Sequence, residues 1–146
     1  MKTVTNILLA VVASILVLGT AVAADMGAAH KVVIQVSSAD AKIQAIALNN
    51  AVNVQKSFGP GEVDIEIVAY GPGLSILTKN PKNKSAARVA SLAKSDITFS
   101  ACGNTMKKVA KKSGKEPKLI DGVKVVPAGV VRLMELQEKG YSYIRP

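Results

Sequence analysis

An α/β domain built on a parallel sheet with helices on both faces is predicted by three features of the 146-residue sequence. Compact β-branched runs alternate with stretches of helical periodicity, the alternation repeats four times, and the links are only a few residues long. Alternating strands and helices joined this tightly are the pattern of parallel strands connected by helical crossovers.

The elements follow in order. Lys31 to Val36 (KVVIQV) is a compact β-branched run and reads as a buried strand. Ser37, Ser38 and Asp40 are N-cap candidates for a helix from Ala41 to about Lys56, where Ile43, Ile46, Ala47, Ala51, Val54 and Phe58 recur at helical spacing. Gly59-Pro60-Gly61 stops it. Val63 to Tyr70 (VDIEIVAY) alternates apolar and acidic residues before becoming wholly apolar, which predicts a second strand entering the sheet from an exposed end. Gly71-Pro72-Gly73 then turns the chain, Leu74 to Leu77 suits a short helical turn, and the polar loop Lys79 to Ser85 leads into a helix over Ala86 to Lys94. Ile97 to Ala101 (ITFSA) is the third strand. It ends at Cys102-Gly103-Asn104-Thr105, where a Lys-rich helix begins that Gly114 to Pro117 breaks. A short strand over Val123 to Val126, a Pro127-Ala128-Gly129 turn, a helix from Val130 to Lys139 and a final Tyr141 to Ile144 segment complete the chain.

Composition narrows the function classes. The chain carries 19 Lys+Arg against 10 Asp+Glu, a formal charge of +9, with one Cys, one His and no Trp. One cysteine excludes an intrachain disulfide, a CxxC redox pair, a c-type haem site and a cysteine-based zinc cluster, so no metal or cofactor is expected. Of the first 23 residues 16 are apolar, and they have the parts of an export signal: Lys2, the apolar run Ile7 to Leu18, and the small-x-small site Ala21-Val22-Ala23. Cleavage is expected after Ala23, with Ala24 as the second choice and an uncleaved membrane anchor as the alternative, since Ile7 to Ala24 just reaches the length of a span. The expected organisation is a signal peptide over 1–23 and one domain over 24–146, exported to the periplasm or secreted, with no stable membrane insertion after cleavage. The domain keeps 18 positive and 10 negative groups and is basic.

Basic charge alone does not imply nucleic acid. The five aromatics, Phe58, Tyr70, Phe99, Tyr141 and Tyr143, are scattered away from the densest basic run, Lys107 to Lys118, whereas base-stacking platforms interleave the two. The spacing of Lys107 with Lys111 and of Lys108 with Lys112 is that of a solvated helix face.

In parallel sheets the working groups sit at the carboxyl ends of the strands. Neither GxGxxG nor a Walker-type GxxxxGK[ST] follows any strand, so nucleotide binding has no motif support. Cys102 is the strongest nucleophile, and its expected place is the junction of a strand end with a helix N-terminus, where free N–H groups and the helix dipole favour a thiolate. Gly103 would allow close approach to the backbone, and Asn104 or Thr105 would cap the helix. The bland alternative is a buried structural thiol. His30 precedes the first strand, at the opposite end of a parallel sheet, and is expected to be a solvated terminal residue rather than a partner of Cys102. Asp64 and Glu66 are expected at an exposed strand end.

The strand-helix segment ITFSACGNTMKK, the loop VAYGPG and the C-terminal VKVVPAGVVRLMELQEKGYSYIRP together resemble the exported branch of the DsrE/DsrF-like proteins, from about His30 to Pro146. The resemblance implies a three-layer α/β/α fold around a mainly parallel five-stranded sheet, assembled into homo-oligomers. It also implies sulfur relay, in which a Cys at a strand-helix junction accepts sulfane sulfur as a persulfide and passes it on. Cys102 matches that position. Tyr70, Gly71, Pro72 and Gly73 match the family's second loop, and Asn104 and Thr105 its post-cysteine turn, with Gly103 just before them as further pocket wall. The implied partners are a sulfane-sulfur donor and a thiol or sulfite acceptor. The protein would then be a sulfurtransferase-like carrier rather than a turnover enzyme. The rival expectation is a non-catalytic exported binding or assembly module with Cys102 structural and the basic loop Lys79, Lys82, Lys84 and Arg88 as contact surface.

Overall fold

The structure, a computed structural model, describes residues 28–146. The export signal expected over 1–23 and its cut after Ala23 or Ala24 lie outside these residues. The described elements are β1 (His30–Val36), α1 (Ala41–Phe58), β2 (Val63–Ala69), a 3-10 helix (Gly71–Leu77), α2 (Ala86–Leu92), β3 (Ile97–Cys102), α3 (Gly103–Ser113), β4 (Lys124–Val126), α4 (Gly129–Glu138) and β5 (Ser142–Ile144). Among the described residues the strands form one five-stranded sheet in the order β4-β3-β2-β1-β5, with every pairing parallel. The predicted α/β architecture is what forms.

The strand order dictates an uneven sandwich. From β1 to β4 the chain steps in one direction across the sheet, so right-handed crossovers put the helices between these strands on one face. Alternate residues Val32, Ile34, Val36, Ile65, Ile67, Ala69, Ile97, Phe99 and Ala101 face that layer and merge with Ala47, Leu48, Ala51, Leu74, Ile76, Leu77, Val89 and Met106 into one apolar cluster. From β4 the chain crosses back over the whole sheet to pair β5 beside β1, and α4 packs against β1, β2, β3 and β5. Its apolar cluster is small: Val33, Val68, Leu133 and Leu136, with Tyr70 and Tyr141 against them.

Two sequence expectations are corrected here. Ile46 and Phe58, placed on the buried face of the first helix by periodicity, are 46% and 45% exposed, while Gln44 is buried. Gln44 is tolerated inside because its amide donates to the Ser38 carbonyl and the Ser75 hydroxyl, both at 3.0 Å, so no buried donor is orphaned. Phe58 instead stacks on His30, ring centroids 3.8 Å apart. Glu66, expected at an exposed strand end, is 3% exposed beneath α4. Its carboxylate accepts from Arg132 Nε at 2.8 Å, Arg132 Nη2 at 2.7 Å and the Ser100 hydroxyl at 2.6 Å. Asp64, on the same face, accepts from the Tyr141 hydroxyl. The alternation read as solvent exposure is therefore a polar face covered by a helix.

Candidate functional site

At the carboxyl ends of β3 and β4 the chain leaves in opposite directions: α3 goes to the apolar layer and α4 to the other face. Neighbouring strands whose helices depart to opposite faces make a topological switch point, where open α/β sheets form their crevices. Both helices begin there, so their unpaired first-turn N–H groups converge on the end of β3. That end is Cys102.

The sequence of each helix start explains why the thiol can use those donors. Asp40 caps α1 by accepting from the N–H groups of Lys42 and Ile43 at 2.7 and 3.3 Å. By contrast, Cys102 itself occupies the cap position of α3 and Ala128 that of α4, and neither helix has a side-chain cap bond. This corrects the expectation that Asn104 or Thr105 caps the helix. Cys102 follows Ser100 on the face turned towards α4, and its residue is only 5% exposed.

Burial pushes the Cys102 thiol up, but the Thr105 hydroxyl and the backbone N–H groups of Gly129, Thr105 and Asn104 outweigh it, and the thiol lies below its ordinary range. The Asn104 N–H is shared, since it also donates to the Pro127 carbonyl at 3.1 Å. Thr105 and Gly129 therefore lower the thiol most. Thr105 is fixed by Gly71, whose N–H donates to its hydroxyl oxygen at 3.0 Å and leaves the hydroxyl proton available. Gly71 reaches that position with φ +54, a left-handed backbone that favours glycine.

The remaining expected residues divide. Tyr70 packs against Gly129, where an added Cβ would lie 3.0 Å from the tyrosine side chain, so it walls the second helix start. Gly103 does not open the backbone to a substrate. A Cβ there would meet the carbonyl oxygens of Val126 and Pro127 at 3.2 and 3.5 Å, so the glycine serves the packing of α3 against the end of β4. Gly73 is likewise buried, with a would-be Cβ only 2.2 Å from the Val36 carbonyl oxygen, and is a packing residue. Asn104 and Pro72 are exposed at the rim. His30 opens β1 at the far end of the sheet, as expected. Gly129 is the contributor that sequence reasoning passed over, although the Pro127-Ala128-Gly129 turn was recognisable as a strand end.

A cleft of about 670 Å³ runs from Gly71 and Pro72 past Val109 to Lys118 and does not include Cys102. It meets the thiol's surroundings at Gly71 and Pro72. The Lys-rich face of α3 is solvated, whereas in the basic loop Lys79 pairs with Asp121 at 2.7 Å and Arg88 donates to Asn49 at 2.8 Å. No helix among the described residues is long and apolar enough to cross a membrane.

Residues 30–146 match the family model described as the DsrE/DsrF-like family. Among solved structures the chain is similar to the protein of unknown function MTH1491 from Methanobacterium thermoautotrophicum, with 28% identity and a TM-score of 0.71, covering 80% of this chain and 99% of that one. It is also similar in fold to the ychN protein from E. coli, with 14% identity and a TM-score of 0.64 over the same shares of the two chains. No curated protein matches it.

Proposed function

The chain belongs to the DsrE/DsrF-like family, and from that premise we propose that it is an exported sulfane-sulfur carrier in which Cys102 accepts sulfur as a persulfide and hands it on. Sulfur relay is associated with the family. The observation that carries the reading here is the placement of one buried thiol at the cap position of α3, at the strand end where α4 also begins and where neither helix start has a side-chain cap.

That arrangement supports a simple exchange. The Cys102 thiolate attacks the outer sulfur of a persulfide or polysulfide; the new S–S bond forms as the donor's S–S bond breaks, and the donor departs as a thiolate or shorter polysulfide. The same donors then stabilise the Cys102 persulfide anion. An acceptor thiolate or sulfite attacks the outer sulfur and releases Cys102 as a thiolate, so no net oxidant or reductant is needed. A thiolate already populated needs no general base, and His30 at the opposite end of the sheet has no part. Tyr70, Gly71 and Thr105 hold the donors in place, and the exposed Asn104 and Pro72 meet the incoming partner. Export places this exchange in the periplasm or outside the cell, where thiols lack the cytosolic reductants, and the burial of Cys102 limits its capture by oxidants.

Assembly into homo-oligomers belongs to the same proposal. It is supported by Val130, Val131 and Met134, which stand exposed on the outer side of α4, with Val125 exposed at the neighbouring edge of the sheet. The burial of Cys102 favours one rival, a binding or assembly module whose thiol is structural. Intact-mass analysis after polysulfide treatment separates the two. The carrier gains one sulfur on Cys102 and the Cys102→Ala variant gains none; a thiol that reacts only after denaturation sinks the carrier reading.

A further inference from the structure

Glu66 and Arg132 are buried charges that the exchange does not use. Their placement ties α4 to the sheet beside the thiol. Arg132 lies in the first turn of α4, its N–H bonded to the Ala128 carbonyl at 3.0 Å, three residues beyond Gly129, and the turn that leads into α4 sits at the Cys102 end of β3, where Val126 pairs with Cys102 and the Pro127 carbonyl accepts the Asn104 N–H at 3.1 Å. Glu66 in β2 holds the Arg132 fork through both carboxylate oxygens and takes the Ser100 hydroxyl as well. Ser100 is two residues before Cys102 on the same strand and the same face. Two strand residues span about 6.7 Å and three helical residues about 4.5 Å. The end of β3 and the start of the antiparallel helix α4 are thus fastened at two adjacent points, one through Ser100, Glu66 and Arg132 and the other through the pairing of Cys102 with Val126 and the bond from Asn104 to Pro127.

We propose that the Glu66–Arg132 ion pair is a positioning device, which holds the N-terminus of α4 at the distance where the Gly129 N–H serves the Cys102 sulfur. It rests on the reading of Cys102 as the working thiol. Apolar packing alone would not fix the helix in this way, because α4 adds only Leu133 and Leu136 to its small cluster and such contacts are non-directional. A bidentate fork has one geometry, and that specificity is what an arginine facing a carboxylate supplies. The other charged and titratable groups near the pair are Glu135, which Arg132 also meets at 3.4 Å, Lys124 at the edge of the sheet, and Tyr141 with the Asp64 to which it donates.

The test is the pH titration of the Cys102 thiolate by its rate of alkylation, read by intact mass and confined to one site because the chain has one cysteine. It is made on the protein as the cells produce it, with circular dichroism to verify folding. The double variant Glu66→Gln, Arg132→Met removes a net-neutral pair, so a change in the thiol does not arise from lost long-range charge. Its titration midpoint should move towards that of the denatured protein, with alkylation at neutral pH about threefold to tenfold slower, a tenfold change corresponding to one pH unit. Arg132→Lys keeps the charge but loses the fork and should shift the midpoint in the same direction by less. A folded double variant that titrates as the wild type overturns the proposal; if it does not fold, a wild-type midpoint in Arg132→Lys does so. Failure of the wild type to take up polysulfide sulfur, with the variant shifts present, would overturn the carrier reading and leave the positioning role standing.

Discussion

The two faces of the sheet are built from the same strands by opposite means. Towards α1, α2 and α3 every inward strand position is apolar, and the layer closes over one continuous cluster. Towards α4 the alternate positions of the same strands carry Gln35, Asp64, Glu66 and Ser100, satisfied by Tyr143, Tyr141 and Arg132. Non-directional burial stabilises the first face, whereas the second depends on directed bonds that fix where its helix lies. Cys102 belongs to the second. This domain thus separates stability from positioning across a single sheet.

Breaking the apolar face should have the largest effect on stability and the smallest on the thiol. Phe99 is fully buried at the centre of that layer, and Phe99→Ala should cost about 3–5 kcal/mol, read by denaturant unfolding. The folded fraction should still titrate Cys102 at the wild-type midpoint.

The polar face is broken by acid. Burial pushes Glu66 up, but the bonds from Arg132 and Ser100 and the positive charges of Arg132 and Lys124 hold it below its ordinary value. A carboxylate depressed in the folded state contributes stability that is present above its unfolded pKa and lost as pH falls through the folded one. Unfolding free energy should therefore fall as pH drops below about 4, and the double variant lacking the pair should lose less over the same range. Equal acid sensitivity in both would remove the ion pair from the account.

Thr105→Val is a smaller and more local break. It orphans the Gly71 N–H, at about 1–3 kcal/mol, and removes the hydroxyl that helps lower the thiol. Stability should drop modestly while the Cys102 midpoint rises, the reverse of the pattern in Phe99→Ala. An unchanged midpoint would mean that the helix N–H groups alone hold the thiolate.

The asymmetry also explains what could be read from the sequence. The strands and the junction at Cys102 were legible because β-branched runs ending at Gly, Pro or Asn mark themselves locally. The polar face was not, since Glu66 looks solvent-exposed until an arginine 66 residues later is folded onto it. Ile46, expected inside, is exposed while Gln44 is buried, because partners in the loops around Ser38 and Ser75 decide which side of α1 is covered. Gly129 carries no chemical signature in its side chain. Its role comes from the return of the chain across the sheet, which brings a second helix start to the same strand end.

Titration of wild-type Cys102 in the folded protein and in denaturant tests the central claim most directly. A lowered thiol pKa makes stability rise with pH from the folded midpoint up to the unfolded one, so the two midpoints must differ with the folded one lower. The account predicts that order. A folded midpoint equal to or above the denatured one would contradict it, and would make Cys102 a buried structural thiol.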